Sequence, residues 1–134
     1  MTPLRFMLDT DTCSFVIRGG NERLRKRIQR NAERLCVSAV TVAELRFGAR
    51  KKGSPRIENA VGFFLELVDV VPWDEEAAGR YAEIRVALES AGTPIGNMDM
   101  LIAASALAVG CPVVTHNTDH FGRVPGLATQ DWTV

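Results

Sequence analysis

The 134-residue sequence predicts an α/β fold in which a central, mostly parallel sheet is flanked by helices. Short apolar segments suited to buried strands alternate with longer segments in which apolar residues recur at helical spacing. Polar or acidic residues follow directly after several of the short segments, as they do at the carboxyl ends of parallel strands. The chain length and the hydrophobic fraction of 46% fit one domain over residues 1–134 with a sizeable core.

Composition narrows the class of protein. No apolar run reaches the roughly 18 residues of a membrane-spanning helix, and residues 1–8 are too short for a signal peptide, so we expect a cytoplasmic protein with no membrane partner. The three cysteines are odd in number and lack C-x-x-C spacing, which favours buried core positions over disulfides or a zinc site. These cysteines are Cys13, Cys36 and Cys111.

The formal net charge of zero conceals an asymmetry along the chain. Residues 1–56 contain 13 Lys and Arg against 5 Asp and Glu, whereas residues 57–134 contain 3 against 11. A basic half of this kind is typical of nucleic-acid contact, although a solvated helix face explains it about as well. Charge alone therefore leaves both interpretations open.

The first strand is predicted over residues 6–8 and is followed at once by Asp9. Asp11 or Thr12 is expected to cap a helix over residues 13–18. Asp9 lies one step earlier, at the edge of an α/β sheet where ligands bind, and is a candidate site residue.

A second strand over residues 35–40 is expected to lead into a helix over residues 42–49, which starts at Ser38 or Thr41. Glu44 closely follows this strand and is a second candidate site residue. It also lies three residues after Thr41, which is the spacing of a capping box, so a purely structural role stays open.

The second half of the sequence begins with a polar, basic segment over residues 50–56, which we expect to be a connector. A helix opening at Gly96 carries Asp99 near its start, where free N–H groups stabilise a carboxylate. Capping alone is the simpler explanation of this one residue. The other predicted elements are a helix capped by Asn21, helices over 57–67 and 74–91, and strands over 68–71 and 111–115.

Taken together, the acidic residues favour a metal site. Asp9, Glu44 and Asp99 follow strands or open helices, and Asn117 or Asp119 follows the last predicted strand. Carboxylates gathered at one sheet edge repel one another unless a hard divalent cation holds them.

Four segments resemble PIN-domain ribonucleases of the VapC toxin type in order and spacing, over nearly the whole chain. They are residues 7–11, 38–49, 95–104 and 114–127. The resemblance implies a three-layer sandwich and a Mg²⁺- or Mn²⁺-dependent endoribonuclease that acts on RNA. It also implies a homodimer that is neutralised by a cognate VapB-like antitoxin.

By position, Asp9, Glu44 and Asp99 match the acidic residues of the family and would be its metal ligands, with Glu44 either ligating or orienting the attacking water. The family has a fourth site position, and there this sequence departs from the family's pattern. Asn117 stands where many PIN domains have Asp, and Asp119 is a possible substitute. The number of metal ions therefore stays open.

Two other functions were compared with the nuclease. Asp9-x-Asp11 after a strand is also found in haloacid-dehalogenase phosphatases, but these need a lysine further along the chain, and the last lysine here is Lys52. A PIN fold without catalysis that binds RNA or a partner is the other alternative, and Asn117 favours it.

Two surfaces are predicted from the charge and apolar patterns. Basic residues of the first half are expected to hold RNA, and apolar residues beside residues 50–56 are expected either to pack in the core or to form a groove for an antitoxin helix. The RNA candidates are Arg23, Lys26, Arg27, Arg30, Arg50, Lys51 and Lys52, and the groove candidates are Leu45, Phe47, Phe63, Phe64 and Leu67.

Overall fold

The computed structural model describes residues 4–134, so the expectation for residues 1–8 lies partly outside the described residues. Five strands form one sheet: β1 (Phe6–Leu8), β2 (Leu35–Ser38), β3 (Asp69–Val71), β4 (Val113–Val114) and β5 (Thr129–Gln130). The helices are α1 (Thr10–Arg18), α2 (Glu22–Arg30), α3 (Ala39–Lys52), α4 (Pro55–Glu66), α5 (Glu75–Ala91), α6 (Asn97–Val109) and α7 (Thr118–Phe121), with a 3₁₀ turn at Ala32–Arg34. Across residues 4–134, none of these helices has the length and apolar character needed to cross a membrane.

The strand pairs are all parallel, in the order β3-β2-β1-β4-β5. The chain builds the sheet outward from β1 in one direction, and then returns to add β4 on the other side of β1. This reversal places a topological switch point between the carboxyl ends of β1 and β4, which is where α/β sheets bind ligands.

Strand residues alternate between the two faces of the sheet. Met7, Cys36 and Val113 pack in one buried cluster with α5, α6 and α7. Their strand neighbours, among them Leu8 and Val37, pack in a second cluster with α1, α2, α3 and α4. The predicted three-layer sandwich is therefore confirmed.

The cysteines are buried and unpaired, as predicted. Cys13 and Cys36 are fully buried, Cys111 is nearly so, and all three thiols are free. Cys36 and Cys111 belong to one core cluster and Cys13 belongs to the other.

The predicted connector over residues 50–56 is wrong, because helices cover most of it. Arg50, Lys51 and Lys52 form the last turn of α3, where good helix formers with positive charge are stabilised by the helix dipole. Gly53 ends this helix in the left-handed conformation (φ 66°), and Ser54 caps α4 by accepting from the Ile57 N–H. The connection is thus a tight turn between two helices.

The helix starts agree only in part with expectation. Asp9, rather than Asp11 or Thr12, caps α1. The second strand stops at Ser38, two residues earlier than predicted, and Ser38, one of the two predicted starts, caps α3 by accepting from the Val40 N–H. Since α3 begins at Ala39, Glu44 lies beyond its first turn, and the capping box with Thr41 is wrong.

Two short elements were not predicted. Helix α7 has four residues and strand β5 has two, and both are too short to show a period in the sequence. Strand β4 is likewise shorter than the predicted strand over 111–115.

Candidate active site

Asp9 lies at the carboxyl end of β1 and is almost completely buried, with 3% of its surface exposed. Its Oδ1 accepts from the Thr12 N–H at 2.9 Å, and its Oδ2 accepts from Thr115 Oγ1 at 2.7 Å. Burial raises the pKa of Asp9 above its ordinary value, although the hydrogen bonds from Thr12 and Thr115 oppose the rise. The carboxylate is thus held rigidly at an unfavourable place for a negative charge.

Asp99 lies in the first turn of α6, as predicted, and its side chain is 30% exposed. Burial and the negative charge of Asp9 raise its pKa, while a contact with His120 lowers it. Asp9 at the carboxyl end of β1 and Asp99 at the start of α6 are thus close enough for the charge of one to act on the other. Asp11 raises the pKa of both carboxylates by its charge, although its own side chain is exposed.

Three hydrogen bonds and one longer polar contact connect Asp9 to Asp99, and we call this set the polar network. Thr115 Oγ1 donates to Asp9 and accepts from the Asn117 N–H at 2.8 Å. The side-chain amide nitrogen of Asn117 lies 2.8 Å from His120 Nδ1, which in turn lies 3.7 Å from Asp99 Oδ2. The network comprises Asp9, Thr115, Asn117, His120 and Asp99.

The two candidates for the fourth position therefore differ. Asn117 belongs to the polar network through its backbone and its side chain. Asp119 is exposed on α7 and is not part of the network. The residue of α7 that faces Asp99 is His120.

Glu44 projects from α3 towards α1. Thr10 Oγ1 donates to Glu44 Oε1 at 2.7 Å and lies 3.2 Å from Thr41 Oγ1. Glu44 and Thr10 both line a cleft of about 650 Å³ between α1, α3 and α4. The hydroxyl group of Thr10 therefore connects Glu44 to the residue that directly follows Asp9.

Within residues 4–134, no three Asp, Glu, His or Cys side chains are placed to hold a metal ion together. Asp9, Asp99 and Glu44 thus do not form a closed cage. The described residues do fit a hydrated divalent cation on Asp9 and Asp99, because Mg²⁺ keeps several waters and needs only one or two carboxylates. Burial is the main cause of the raised pKa of both carboxylates, and the charge of Asp9 adds to the rise at Asp99, so a nearby cation would stabilise their ionised forms.

The basic candidates fall on two surfaces. Lys52 lines the cleft together with Arg18 and Arg56, which were not among the candidates. The α2 candidates are outside the cleft lining, and Arg27 stacks on the Trp132 ring with its guanidinium carbon 5.1 Å from the centroid. Arg23, Lys26 and Arg30 are exposed on α2, and Arg50 and Lys51 are exposed at the end of α3.

The groove candidates divide into core and surface. Leu45 and Phe64 are buried, as the core interpretation predicted. Phe47, Phe63 and Leu67 are exposed over 68%, 66% and 60% of their surfaces. Of the five groove candidates, only these three, which lie on or directly after α3 and α4, remain available to a partner.

Thr115 and His120 were not among the candidate site residues predicted from the sequence. Thr115 is buried and bonds Asp9 from the neighbouring strand, and the signal for it is its place directly after the apolar run Val113-Val114. His120 had no such signal, because the short helix that aims it at Asp99 shows no periodicity in the sequence.

Comparison with known proteins places this arrangement in a family. The PIN domain family model matches residues 6–127. The tRNA(fMet)-specific endonuclease VapC of Salmonella typhimurium is 41% identical over 130 residues, which cover 96% of this chain and 98% of that protein. Ribonuclease VapC2 of Haemophilus influenzae is 35% identical with the same coverage of both chains.

Among solved structures, the DNA-bound VapBC of Salmonella typhimurium contains a chain that superposes with a TM-score of 0.92 at 40% identity. The alignment covers 97% of this chain and 99% of that one. The phosphatase alternative is wrong, because the match to the PIN model includes the segment around Asp9 on which that alternative rested. With its parallel sheet, its switch-point carboxylates and these relatives, the chain belongs to the PIN-domain family and, within it, to the VapC-type toxin ribonucleases.

Proposed function

We propose that this VapC-type ribonuclease hydrolyses RNA at the Asp9–Asp99 site with the help of Mg²⁺ or Mn²⁺. The observation that carries the proposal is the placement of Asp9 at the carboxyl end of β1 and of Asp99 in the first turn of α6, with the polar network connecting them. A divalent ion held there by Asp9 and Asp99 supplies an activated water and screens the charge of the scissile phosphate.

The protein residues around this site have separate tasks. Thr12 and Thr115 fix both oxygens of Asp9, so that this carboxylate keeps its direction. Glu44, oriented by Thr10, lines the cleft and is placed to accept a proton or hold a water there. Arg18, Lys52 and Arg56 line the same cleft, and their positive charges suit RNA phosphates.

We further propose that the substrate is tRNA(fMet). The 41% identical Salmonella typhimurium relative carries that specificity in its name, and the alignment covers nearly the whole of both chains. We place the reaction in the cytoplasm, where this RNA is found.

The test is cleavage of purified tRNA(fMet) by the purified chain with Mg²⁺, Mn²⁺ or EDTA, followed by mapping of the cut ends. We expect one dominant cut that requires the metal, and a loss of at least 100-fold in rate for Asp99→Asn, since it removes a metal ligand. The matched control is Asp69→Asn, whose exposed carboxylate lies at the start of β3, on the opposite edge of the sheet.

Each outcome has a separate meaning. Metal-dependent cleavage of elongator tRNA at the same rate would remove the substrate assignment and leave the nuclease in place. Absence of any metal-dependent cleavage would favour the non-catalytic PIN module. Undiminished cleavage by Asp99→Asn would exclude the Asp9–Asp99 site.

We also propose that the chain forms a homodimer and binds a VapB-like antitoxin. Several structural neighbours are VapBC complexes, which supports a partner of this kind. The exposed Phe47, Phe63 and Leu67 offer apolar contact area for an antitoxin helix.

Growth of cells that express the chain alone tests the toxin role. We expect the wild type to stop growth, and co-expression of the antitoxin or the change Asp99→Asn to restore it. Equal harm from wild type and Asp99→Asn would show that the toxicity does not come from the site.

A further inference from the structure

The group of the polar network that lies next to Asp99 is the imidazole ring of His120, not another carboxylate. His120 is the last member of the network before Asp99, and its Nδ1 lies 3.7 Å from Asp99 Oδ2. The side chains of these two residues are 42% and 30% exposed, so an ion and its waters have access to both.

Helix α7 decides which of its residues faces the site. Phe121 is fully buried in the core and anchors the helix against the sheet. With Phe121 inward, Asp119 is exposed to solvent and His120 is half-buried beside α6. The residue of this helix beside Asp99 is therefore His120, which also contacts Asn117.

The distance between His120 and Asp99 suits a shared cation. A separation of 3.7 Å between nitrogen and oxygen is too long for a good hydrogen bond. Two donor atoms that each bind one ion at about 2.1 Å lie roughly 3 Å apart when they are adjacent in an octahedron, so a small approach of the two side chains suffices.

The contact with Asn117 shows that the His120 ring nitrogen nearest Asp99 is a hydrogen-bond acceptor. An amide nitrogen only donates, so His120 Nδ1 accepts from Asn117 Nδ2 and carries a lone pair in this rotamer. A cation beside Asp99 can take this lone pair in place of the amide N–H.

We propose that His120 binds the divalent cation of the site through its ring nitrogen, together with Asp99, and thereby shifts the metal preference from Mg²⁺ towards Mn²⁺. This inference rests on the metal dependence proposed above. Asp9, Asp99 and His120 do not form a preformed three-ligand cage in the described residues 4–134, so Asp9 would assist the ion through a water. Waters and RNA phosphate oxygens would complete its coordination.

The predicted preference follows from ligand chemistry. Carboxylate and water oxygens suit Mg²⁺, whereas imidazole nitrogen suits transition metals. A site with one nitrogen donor should therefore favour Mn²⁺ over Mg²⁺ more strongly than the same site with oxygen donors alone.

The experiment uses Mn²⁺ as a spectroscopic probe. Pulsed electron paramagnetic resonance of the purified full chain loaded with Mn²⁺ should show coupling to a ¹⁴N nucleus. The chain contains only two histidines, so the source can be assigned by single changes. His120→Asn should abolish the coupling, and His116→Asn should retain it, because His116 Nδ1 is turned towards Asp131, 3.0 Å from its Oδ2.

A second measurement does not depend on spectroscopy. Calorimetric titration with MnCl₂ and with MgCl₂ gives the affinity ratio for wild type and for His120→Asp, which restores an oxygen donor. We expect the ratio of Mn²⁺ to Mg²⁺ affinity to fall about tenfold in His120→Asp. Circular dichroism confirms that each variant is folded.

The outcomes separate this inference from the proposed function. Bound Mn²⁺ without ¹⁴N coupling, or with coupling that survives His120→Asn, would overturn the role of His120 and leave the metal-dependent nuclease intact. No binding of Mn²⁺ by the wild type at millimolar concentration would overturn both proposals. An unchanged affinity ratio in His120→Asp would overturn the metal preference.

Discussion

At the scale of single residues, Asp9 combines two tasks that usually belong to different side chains. Its Oδ1 caps α1 through the Thr12 N–H, and its negative charge also raises the pKa of Asp99. An N-cap lies at the positive end of the helix dipole, so the structural task supports an ionised state that burial opposes. This conflict explains why the residue is suited to a cation.

The first prediction concerns pH and the stability of Asp99→Asn in EDTA. The folded-state pKa of Asp99 lies above the ordinary 3.8, mainly because of burial and then because of Asp9. The folded protein therefore binds this proton more tightly than the unfolded chain, and the ionised carboxylate lowers the free energy of unfolding above the folded-state pKa. This cost disappears as the pH falls through that pKa.

We thus expect Asp99→Asn to melt at a higher temperature than wild type at pH 7, and the difference to vanish near about pH 4. Differential scanning calorimetry from pH 4 to pH 8 measures it. Asp69→Asn is the control and should show no such gain. A lower melting temperature for Asp99→Asn at pH 7 would contradict the electrostatic account.

The second prediction concerns Thr115, which is buried and connects Asp9 to Asn117. Thr115→Val keeps the shape but leaves a buried carboxylate and an N–H without their partner, which should cost about 1–3 kcal/mol. Urea denaturation measures this cost. Thr115→Ser retains the hydroxyl group and should recover most of it.

An exposed hydroxyl provides the comparison for Thr115. Thr118→Val removes the same group from the exposed start of α7 and should change stability by less than about 0.5 kcal/mol. Equal costs for Thr115→Val and Thr118→Val would mean that the hydrogen bonds to Asp9 and Asn117 contribute nothing.

At the scale of elements, local sequence signals located the long helices well and the short elements poorly. Helix α5 runs from Glu75 to Ala91 with Asp74 as its N-cap, close to the predicted bounds 74–91. The capping residue and the spacing of the apolar residues both indicate this helix. Basic residues at 50–52 were misread as a connector because charge alone does not distinguish a loop from the last turn of a helix. Ser54 and Pro55 were the usable signal, since Ser is a good N-cap and Pro suits the first turn.

The third prediction concerns RNA binding by α2. Arg23 and Lys26 are exposed on this helix, and each true phosphate contact contributes roughly −0.7 to the slope of log K against log salt for single-stranded RNA. Arg23→Ala with Lys26→Ala should therefore flatten the slope by about 1.4. Binding is measured by fluorescence anisotropy in the Asp99→Asn background, so that the RNA stays intact.

The control for α2 removes the same charge elsewhere. Arg80→Ala with Arg85→Ala takes two positive charges from α5, where both are paired with glutamates of the same helix. This variant should leave the salt slope unchanged. Identical slopes for both double variants would exclude α2 from the RNA footprint.

At the scale of the whole molecule, the sandwich separates two kinds of surface. Helices α1, α3 and α4 enclose the cleft beside Glu44, whereas α5 and α6 cover the opposite face of the sheet. The large exposed side chains Phe47 and Phe63 belong to the first face. An antitoxin that covers this face would also close access to Thr10 and Glu44.

The fourth prediction tests that face. Phe63→Glu should weaken antitoxin binding by about 2 kcal/mol, or roughly 30-fold, because an aromatic anchor is lost and a charge is placed in an apolar contact. Biolayer interferometry measures the affinity. Val86→Glu on α5, where Val86 is 65% exposed, should bind as wild type. Greater loss in Val86→Glu than in Phe63→Glu would move the interface to the other face.

The sequence by itself determined the α/β class, the long helices, the buried cysteines and the acidic candidates Asp9 and Asp99. These features depend on the spacing of apolar residues along the chain and on residue type, and both can be read directly from the sequence. Only the tertiary structure decided that Thr115 bonds Asp9, that Glu44 is held by Thr10, and that His120 rather than Asp119 faces Asp99. Each of these contacts joins residues more than 20 positions apart, so its geometry depends on how the strands and helices pack.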